Sequence, residues 1–299
     1  MKTLLDRIQR ANRPAFHQLS PQQARVAYRM GAEILDLPRA PLARVENLSW
    51  AGRPARLYAP SVDKLPVLLY LHGGGFTIGD LETHDSLCRQ FALRAGVAVL
   101  ALDYRLAPEH RFPCAVEDSV AAMRLLFEQG ATLGLDATRV AVGGDSAGGT
   151  LAAVCALQAR MDGLPLALQL LITPGTTARA DTESHARFAK GYLLDAEAIA
   201  WFFAHYIDDA QKDDWRFAPL HAEDFEGLAP ACMLLAEADP LVDEGLAYAD
   251  RLRMAGVPVQ LELYKGVTHD FIKMGRMLPE ALAAQEAAAQ ALRERFERA

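Results

Sequence analysis

The chain has 299 residues, 51% of them hydrophobic, and a formal net charge of −7 with a pI near 5.6. That length suits one large domain with a deep core, and an acidic balance without any basic run argues against a nucleic-acid partner. Met1 to Ser20 carries Lys2, Asp6, Arg7, Arg10 and Arg13 with no long apolar core, so it does not read as a signal peptide, and no stretch approaches the ~18 apolar residues of a membrane span. The four cysteines, Cys88, Cys114, Cys155 and Cys232, are widely spread and are expected as free thiols in a reducing compartment, which makes the expectation a soluble cytoplasmic protein.

In chain order, Thr3 to Arg10 and Ser20 to Leu35 are predicted helices. In the second, Ser20 can cap, Pro21 suits the first turn, Gln23 completes a capping box, and Val26, Met30 and Ile34 recur at helical spacing. Neither helix has to join strands, so this segment is free to lie over something. Val45 to Trp50 and Arg53 to Tyr58 flank Ala51-Gly52 and read as a hairpin. Buried strands follow at Pro66 to Leu71 and Val97 to Asp103, and further strands at Arg139 to Gly143, Leu166 to Ile172, Ala231 to Ala236 and Val259 to Tyr264. Helices are predicted at Thr83 to Ala95, Ala115 to Phe127, Ala147 to Met161, Asp243 to Ala255 and Ala281 to Ala291. This alternation predicts an α/β fold, a mostly parallel central sheet flanked by helices. One interval, Thr173 to Pro230, shows no strand but contains an aromatic helix, Asp195 to Tyr206. We read a single domain over residues 1–299, with a helical cap built from about residues 1–40 and 176–225.

The chemistry centres on Gly144-Asp145-Ser146-Ala147-Gly148, a G-x-S-x-G pentapeptide between a β-branched strand and a proline-free helix. A strand that turns into a helix within two residues forces the middle residue into a strained conformation, and small neighbours let the two elements pass. The turn lifts the Ser146 hydroxyl to the top of the sheet. A serine needs a base, and on such a sheet the partners follow in the order serine, acid, histidine. Of eight histidines, His17, His72, His84 and His110 precede Ser146, and His185, His205 and His221 lie in or beside the strandless interval. Only His269 follows the last two strands. The acid is expected at Asp239, directly after a strand, with Asp243 as its rival; Asp243 and Glu244 also suit a helix start. His72-Gly73-Gly74-Gly75 follows another buried strand and offers backbone N–H groups to a developing oxyanion; Gly73, Gly74 and Ala147 are the expected donors. No metal-ligand spacing and no dinucleotide fingerprint occurs, so neither metal nor cofactor is expected.

Together, His72 to Phe76, Asp103 to His110, Gly144 to Gly148, Asp239 to Gly245 and Gly266 to Phe271 make the sequence resemble the hormone-sensitive-lipase-like esterases of the α/β-hydrolase superfamily. The resemblance implies the α/β-hydrolase fold with its cap, a small-molecule ester as partner, and hydrolysis of short- to medium-chain acyl esters through an acyl-enzyme. It also implies that Tyr104 to His110 buttresses the oxyanion loop, where Arg105 and Glu109 are expected to pair. Phe76 and Asp145 in the motifs, and Phe202 and Tyr206 on the aromatic helix, are the expected substrate-contacting side chains. Thr173 stands where members often carry an aromatic residue, and Asp270 where glycine is common; both bear on the pocket. Two other readings share these residues: a non-catalytic small-ligand receptor, against which His269 argues, and an amidase or lactonase. No pattern sets the oligomer, and a homodimer stays open.

Overall fold

The computed structural model describes residues 5, 6, 10 and 14–298. The helix expected from Thr3 to Arg10 lies outside these, apart from Leu5, Asp6 and Arg10, which are helical. Eight strands form one sheet: β1 (Arg44–Trp50), β2 (Arg53–Ala59), β3 (Leu65–Leu71), β4 (Ala98–Leu102), β5 (Leu135–Asp145), β6 (Leu166–Ile172), β7 (Ala231–Ala238) and β8 (Val259–Thr268). Their order is β1-β2-β4-β3-β5-β6-β7-β8; β1 and β2 are antiparallel, β2 runs antiparallel to β4, and every later pairing is parallel. The hairpin turns at Ala51 and Gly52, both at positive φ, as the twist of paired strands favours.

Helices cover both faces, and the apolar runs of the inner strands follow from that. Along β3, Val67, Leu69 and Leu71 enter one core cluster and Leu68 and Tyr70 the other, all fully buried. Each such side chain contributes about 1.5–3 kcal/mol by leaving water. The flanking helices are α1 (Pro21–Leu35), α2 (Asp85–Ala95), α3 (Cys114–Gln129), α4 (Ala147–Met161), α5 (Glu183–Arg187), α6 (Ala196–Tyr206), α7 (Val242–Met254) and α8 (Pro279–Arg298). None of the helices among the described residues is long and apolar enough to cross a membrane.

Between β6 and β7 there is no strand. Instead α6, capped by the Asp195 carboxylate on the Ala198 N–H at 2.8 Å, packs with the N-terminal segment. Ala24, Ile78, Leu194, Ile199 and Phe202 form a small cluster of their own, joined by Phe16 and Tyr28. Ser20 and Gln23 close the expected capping box at the start of α1.

The stripe Val26, Met30 and Ile34 does not pack: these residues are 61%, 52% and 55% exposed. The inward face of α1 is carried by Ala24 and Tyr28, and polar ties hold the helix. Arg25 reaches Glu109 at 2.7 Å, and Arg29 pairs with Asp80. Two short features escaped the sequence reading. The five-residue helix α5 is one. The other is the early start of β5 at Leu135, where polar Asp136, Thr138 and Arg139 hide a strand whose register breaks at Val140.

Candidate active site

The carboxyl ends of β3, β5, β7 and β8 deliver the expected chemistry to one edge of the sheet. Ser146 sits between β5 and α4 with φ 55° and ψ −122°, a conformation that costs a non-glycine residue about 1–3 kcal/mol. Its backbone N–H donates to the Ile172 carbonyl at 2.8 Å, which pins the turn. The small neighbours are sterically required: a Cβ on Gly148 would lie 1.9 Å from the Leu71 carbonyl oxygen, and one on Gly144 2.3 Å from the same atom.

The Ser146 hydroxyl lies 2.8 Å from His269 Nε2, and His269 Nδ1 lies 2.7 Å from Asp239 Oδ2. With a carboxylate facing Nδ1, that nitrogen carries the proton and Nε2 is left to accept from Ser146. Asp239 Oδ1 accepts the Leu241 N–H at 2.9 Å, so the carboxylate is held on both oxygens. Asp243 turns away, its Oδ2 accepting the Ser184 N–H at 2.8 Å. The hydroxyl opens on a cavity of about 60 Å³ walled by Gly75, Phe76, Ala147, Ile199, Phe202 and Phe217, among others. A wider cleft between α5 and α6 shares His185, Ile199 and Phe203 with it.

A family model described as the alpha/beta hydrolase fold matches residues 68–273. The chain belongs to the α/β hydrolase fold family. Over 235 residues this α/β hydrolase is 48% identical to an ethyl acetate hydrolase of Pseudomonas putida, covering 76% of this chain and 74% of that one. It is 42% identical over 273 residues to the esterase LipI of Mycobacterium tuberculosis, covering 86% and 85% of the two chains. Among solved structures, an ester hydrolase from the metagenome of Lake Arreo, complexed with a bipyridine phosphonate derivative, superposes with a TM-score of 0.95 at 40% identity, covering 99% of this chain and 98% of that one. A hyperthermophilic esterase from Pyrobaculum calidifontis does so with 0.93 at 35% identity, covering 98% and 96%.

The Gly73–Gly75 loop of this α/β hydrolase departs from one expectation. The Gly73 N–H is already spent, donating to Asp145 Oδ1 at 3.1 Å. Those of Gly74, Gly75 and Ala147 have no acceptor among the described residues, and Gly75 and Ala147 wall the cavity while Gly73 does not. Gly75 rather than Gly73 therefore lines the cavity with an N–H that has no acceptor among the described residues. Its φ of 56°, and a Cβ position 2.3 Å from the Phe202 ring, exclude any side chain there. The loop is braced from below: the Tyr104 hydroxyl donates to the His72 carbonyl at 2.7 Å, and the two rings stack 4.3 Å apart. Burial, then the nearby His84, pushes His72 down to about 4, so it is a neutral spacer.

Two of the expected substrate contacts are also corrected. Phe76 and Phe202 stand on the cavity wall; Asp145 and Tyr206 do not. Asp145 is wholly buried and accepts from the Tyr70 hydroxyl at 2.7 Å, the Gly73 N–H and His84 Nε2 at 3.1 Å. Burial alone would raise its carboxyl; His84 and the Tyr70 bond outweigh that and hold it well below the ordinary range. Tyr206 is stacked behind Phe76 at 4.1 Å. The expected Arg105–Glu109 pair is absent, because the Arg105 guanidinium grips the Asp118 carboxylate on α3 at 2.7, 2.9 and 3.0 Å while Glu109 faces Arg25. Thr173 is buried at φ 40° and off the cavity wall.

Sequence reasoning missed Glu244 as more than a helix-start residue. Its Oε1 accepts the Thr176 and Thr177 N–H groups at 2.5 and 3.2 Å, anchoring the loop after β6, and the side chain reaches the cavity wall. Burial pushes it up to about 8, so it is neutral over most of the physiological range. The only sequence signal was its place five residues after Asp239.

Proposed function

We propose that this chain is a serine carboxylesterase in which Ser146 is the nucleophile, His269 the base and Asp239 the residue that orients it. One observation carries the reading: an unbroken hydrogen-bonded line from Asp239 through His269 to Ser146, ending at an apolar cavity. The names of its relatives, an ethyl acetate hydrolase and several esterases, support it. Ser146 Oγ attacks the ester carbonyl carbon as its proton passes to His269 Nε2. The carbonyl oxygen becomes an oxyanion held by the N–H groups of Gly74, Gly75 and Ala147. The intermediate collapses, the C–O bond to the alcohol breaks, and the alcohol leaves with the proton from His269. Water then repeats the sequence on the acyl-enzyme, with His269 taking its proton, and the free acid departs. Asp239, 2.7 Å from His269 Nδ1, stabilises the imidazolium that forms.

Two expectations test this reading. The first is a pH profile. Burial opposes the charged imidazole, but the Asp239 carboxylate, with Asp270 and Asp145 behind it, outweighs burial and places His269 above its ordinary value. The base works only when neutral, so kcat/KM should rise with pH through an apparent pKa above ~6.5, the free-imidazole value. An acid limb below that value, with chemistry rate-limiting, would remove His269 from the role.

The second concerns acyl length. In this reading α1 and α6, with the loops around residues 176–225, form a cap that encloses the acyl group. The cavity of about 60 Å³ beside Ser146 is narrow, and Phe76, Ile199, Phe202 and Phe217 wall it. Across p-nitrophenyl esters from acetate to palmitate, kcat/KM should peak at acetate to butyrate and fall at least about tenfold by octanoate, as over-packing costs ~1–3 kcal/mol. A profile that is flat to palmitate would take the chamber out of acyl selection. A p-nitroanilide of the best acyl group, left uncleaved, would separate esterase from amidase.

A further inference from the structure

His269 is followed by a residue that bends the chain the left-handed way: Asp270, at φ 66° and ψ 7°. Glycine would take this conformation without strain, whereas aspartate adopts it at a cost. The side chain has a use that offsets it. Its Oδ2 accepts the Tyr28 hydroxyl at 3.0 Å, across from α1, and lies 3.3 Å from Lys273 Nζ. Lys273 is 5% exposed, donates to the Tyr28 hydroxyl, and sits 4.1 Å from the centre of the Tyr28 ring. An ammonium this deep needs partners. Two further contacts bind the residues after this turn to the last residue of α1 and to the segment just beyond it. The Arg276 N–H donates to the Leu35 carbonyl at 3.3 Å, and Gly275 lies so close to Leu37 that a Cβ would meet its side chain at 2.7 Å.

We propose that Tyr28, Asp270 and Lys273 are positioning residues: a charge-balanced latch that joins α1 to the turn carrying His269 and sets how strongly His269 holds its proton. The inference rests on the reading of His269 as the base. Its electrostatic part is a balance. His269 is faced by the carboxylates of Asp239 after β7, Asp145 at the end of β5 and its neighbour Asp270, and by the carboxyl of Glu244 on α7. Lys273 is the cation set among them, facing Asp270, Asp145 and Asp36. Asp270 favours the imidazolium; in this proposal Lys273, 3.3 Å from that carboxylate, opposes it. The mechanical part follows from Tyr28, whose single oxygen bonds both members of the pair. Seating α1 therefore holds the turn, and loosening α1 frees it.

The test is a charge cycle read on the imidazole itself. His269 is titrated by NMR in the free protein, which needs no substrate, so the outcome stands whether or not any ester proves to be turned over. Asp270→Asn leaves Lys273 uncompensated and should lower the His269 midpoint by about half a pH unit. Lys273→Met leaves Asp270 uncompensated and should raise it by a similar amount, and the double variant should return to within roughly 0.2 units of the parent. Shifts of the same sign, or none, overturn the electrostatic role, because damage to packing has no reason to follow the sign of a charge. Should Lys273→Met fail to fold, Lys273→Gln, which removes the same charge, takes its place. Tyr28→Phe keeps the ring and tests the latch: amide exchange should quicken about tenfold both in α1 and in residues 269–274. Faster exchange in α1 alone would overturn the coupling.

Discussion

Ser146→Ala should remove ester hydrolysis almost completely, lowering kcat by about 10⁴ or more while leaving the fold and substrate binding in place. The expectation follows from geometry. Ser146 is the hydroxyl at hydrogen-bond distance from His269 Nε2, at the head of a helix whose first N–H has no acceptor among the described residues, and it opens on the apolar cavity. Alanine keeps the Cβ and the strained backbone but leaves nothing for His269 to deprotonate. The free N–H groups would still polarise a bound ester, so a small residual rate above solution hydrolysis is expected. A fluorophosphonate probe should label the parent at Ser146, seen by peptide mass spectrometry, and leave the variant unlabelled. Full activity in the variant, or labelling at another serine, would overturn the assignment.

Asp239→Asn should be nearly as damaging, about 10⁴-fold in kcat. The carboxylate dictates which imidazole nitrogen is protonated. An amide placed there can offer its N–H₂ to Nδ1, which then becomes the acceptor and pushes the proton onto Nε2, where it blocks the Ser146 hydroxyl. Asp243→Asn is the control, a second carboxylate four residues on, in the first turn of α7. Its carboxylate serves the Ser184 N–H at the start of α5, so its loss should cost about 1–2 kcal/mol of stability and little catalysis. Kinetics and urea denaturation of both variants check the pair. If Asp243→Asn were the slower enzyme, the assignment of the acid would be wrong.

The parts of this molecule that could be read from sequence obey short-range rules. Strands buried on both faces are near-continuous apolar runs, so β3, β4, β6 and β7 were legible, as was the inner half of β5. The nucleophile turn was legible because only small residues fit beside it, and His269 because the order of the strands excludes the other histidines. What could not be read is partnership at long range. Arg105 was expected to pair with a neighbour in its own motif, but the rotation of α3 places Asp118 closer. Three glycines in a row look alike in a sequence; which N–H is free depends on Asp145, 72 residues from Gly73. Val26, Met30 and Ile34 satisfied the helical period and still faced outward, because Arg25, Tyr28 and Arg29 tether the other side of α1. Periodicity finds an apolar face without saying that it is covered.

The φ of 55° at Ser146 sets a molecule's endurance against its reactivity. Domains of this kind survive on a margin of about 5–15 kcal/mol, and a single residue held outside the usual backbone basins consumes about 1–3 of it. Glycine at 146 would relieve that tension at once, and selection for durability alone would favour it. With Ser146 as the proposed nucleophile, the position gives up that part of the margin to keep a hydroxyl at the turn. The same reasoning locates where a hardier variant should be sought: on the solvent face of α1 and in the loops remote from the nucleophile turn, where stability can be added without relaxing the one bend on which the chemistry depends.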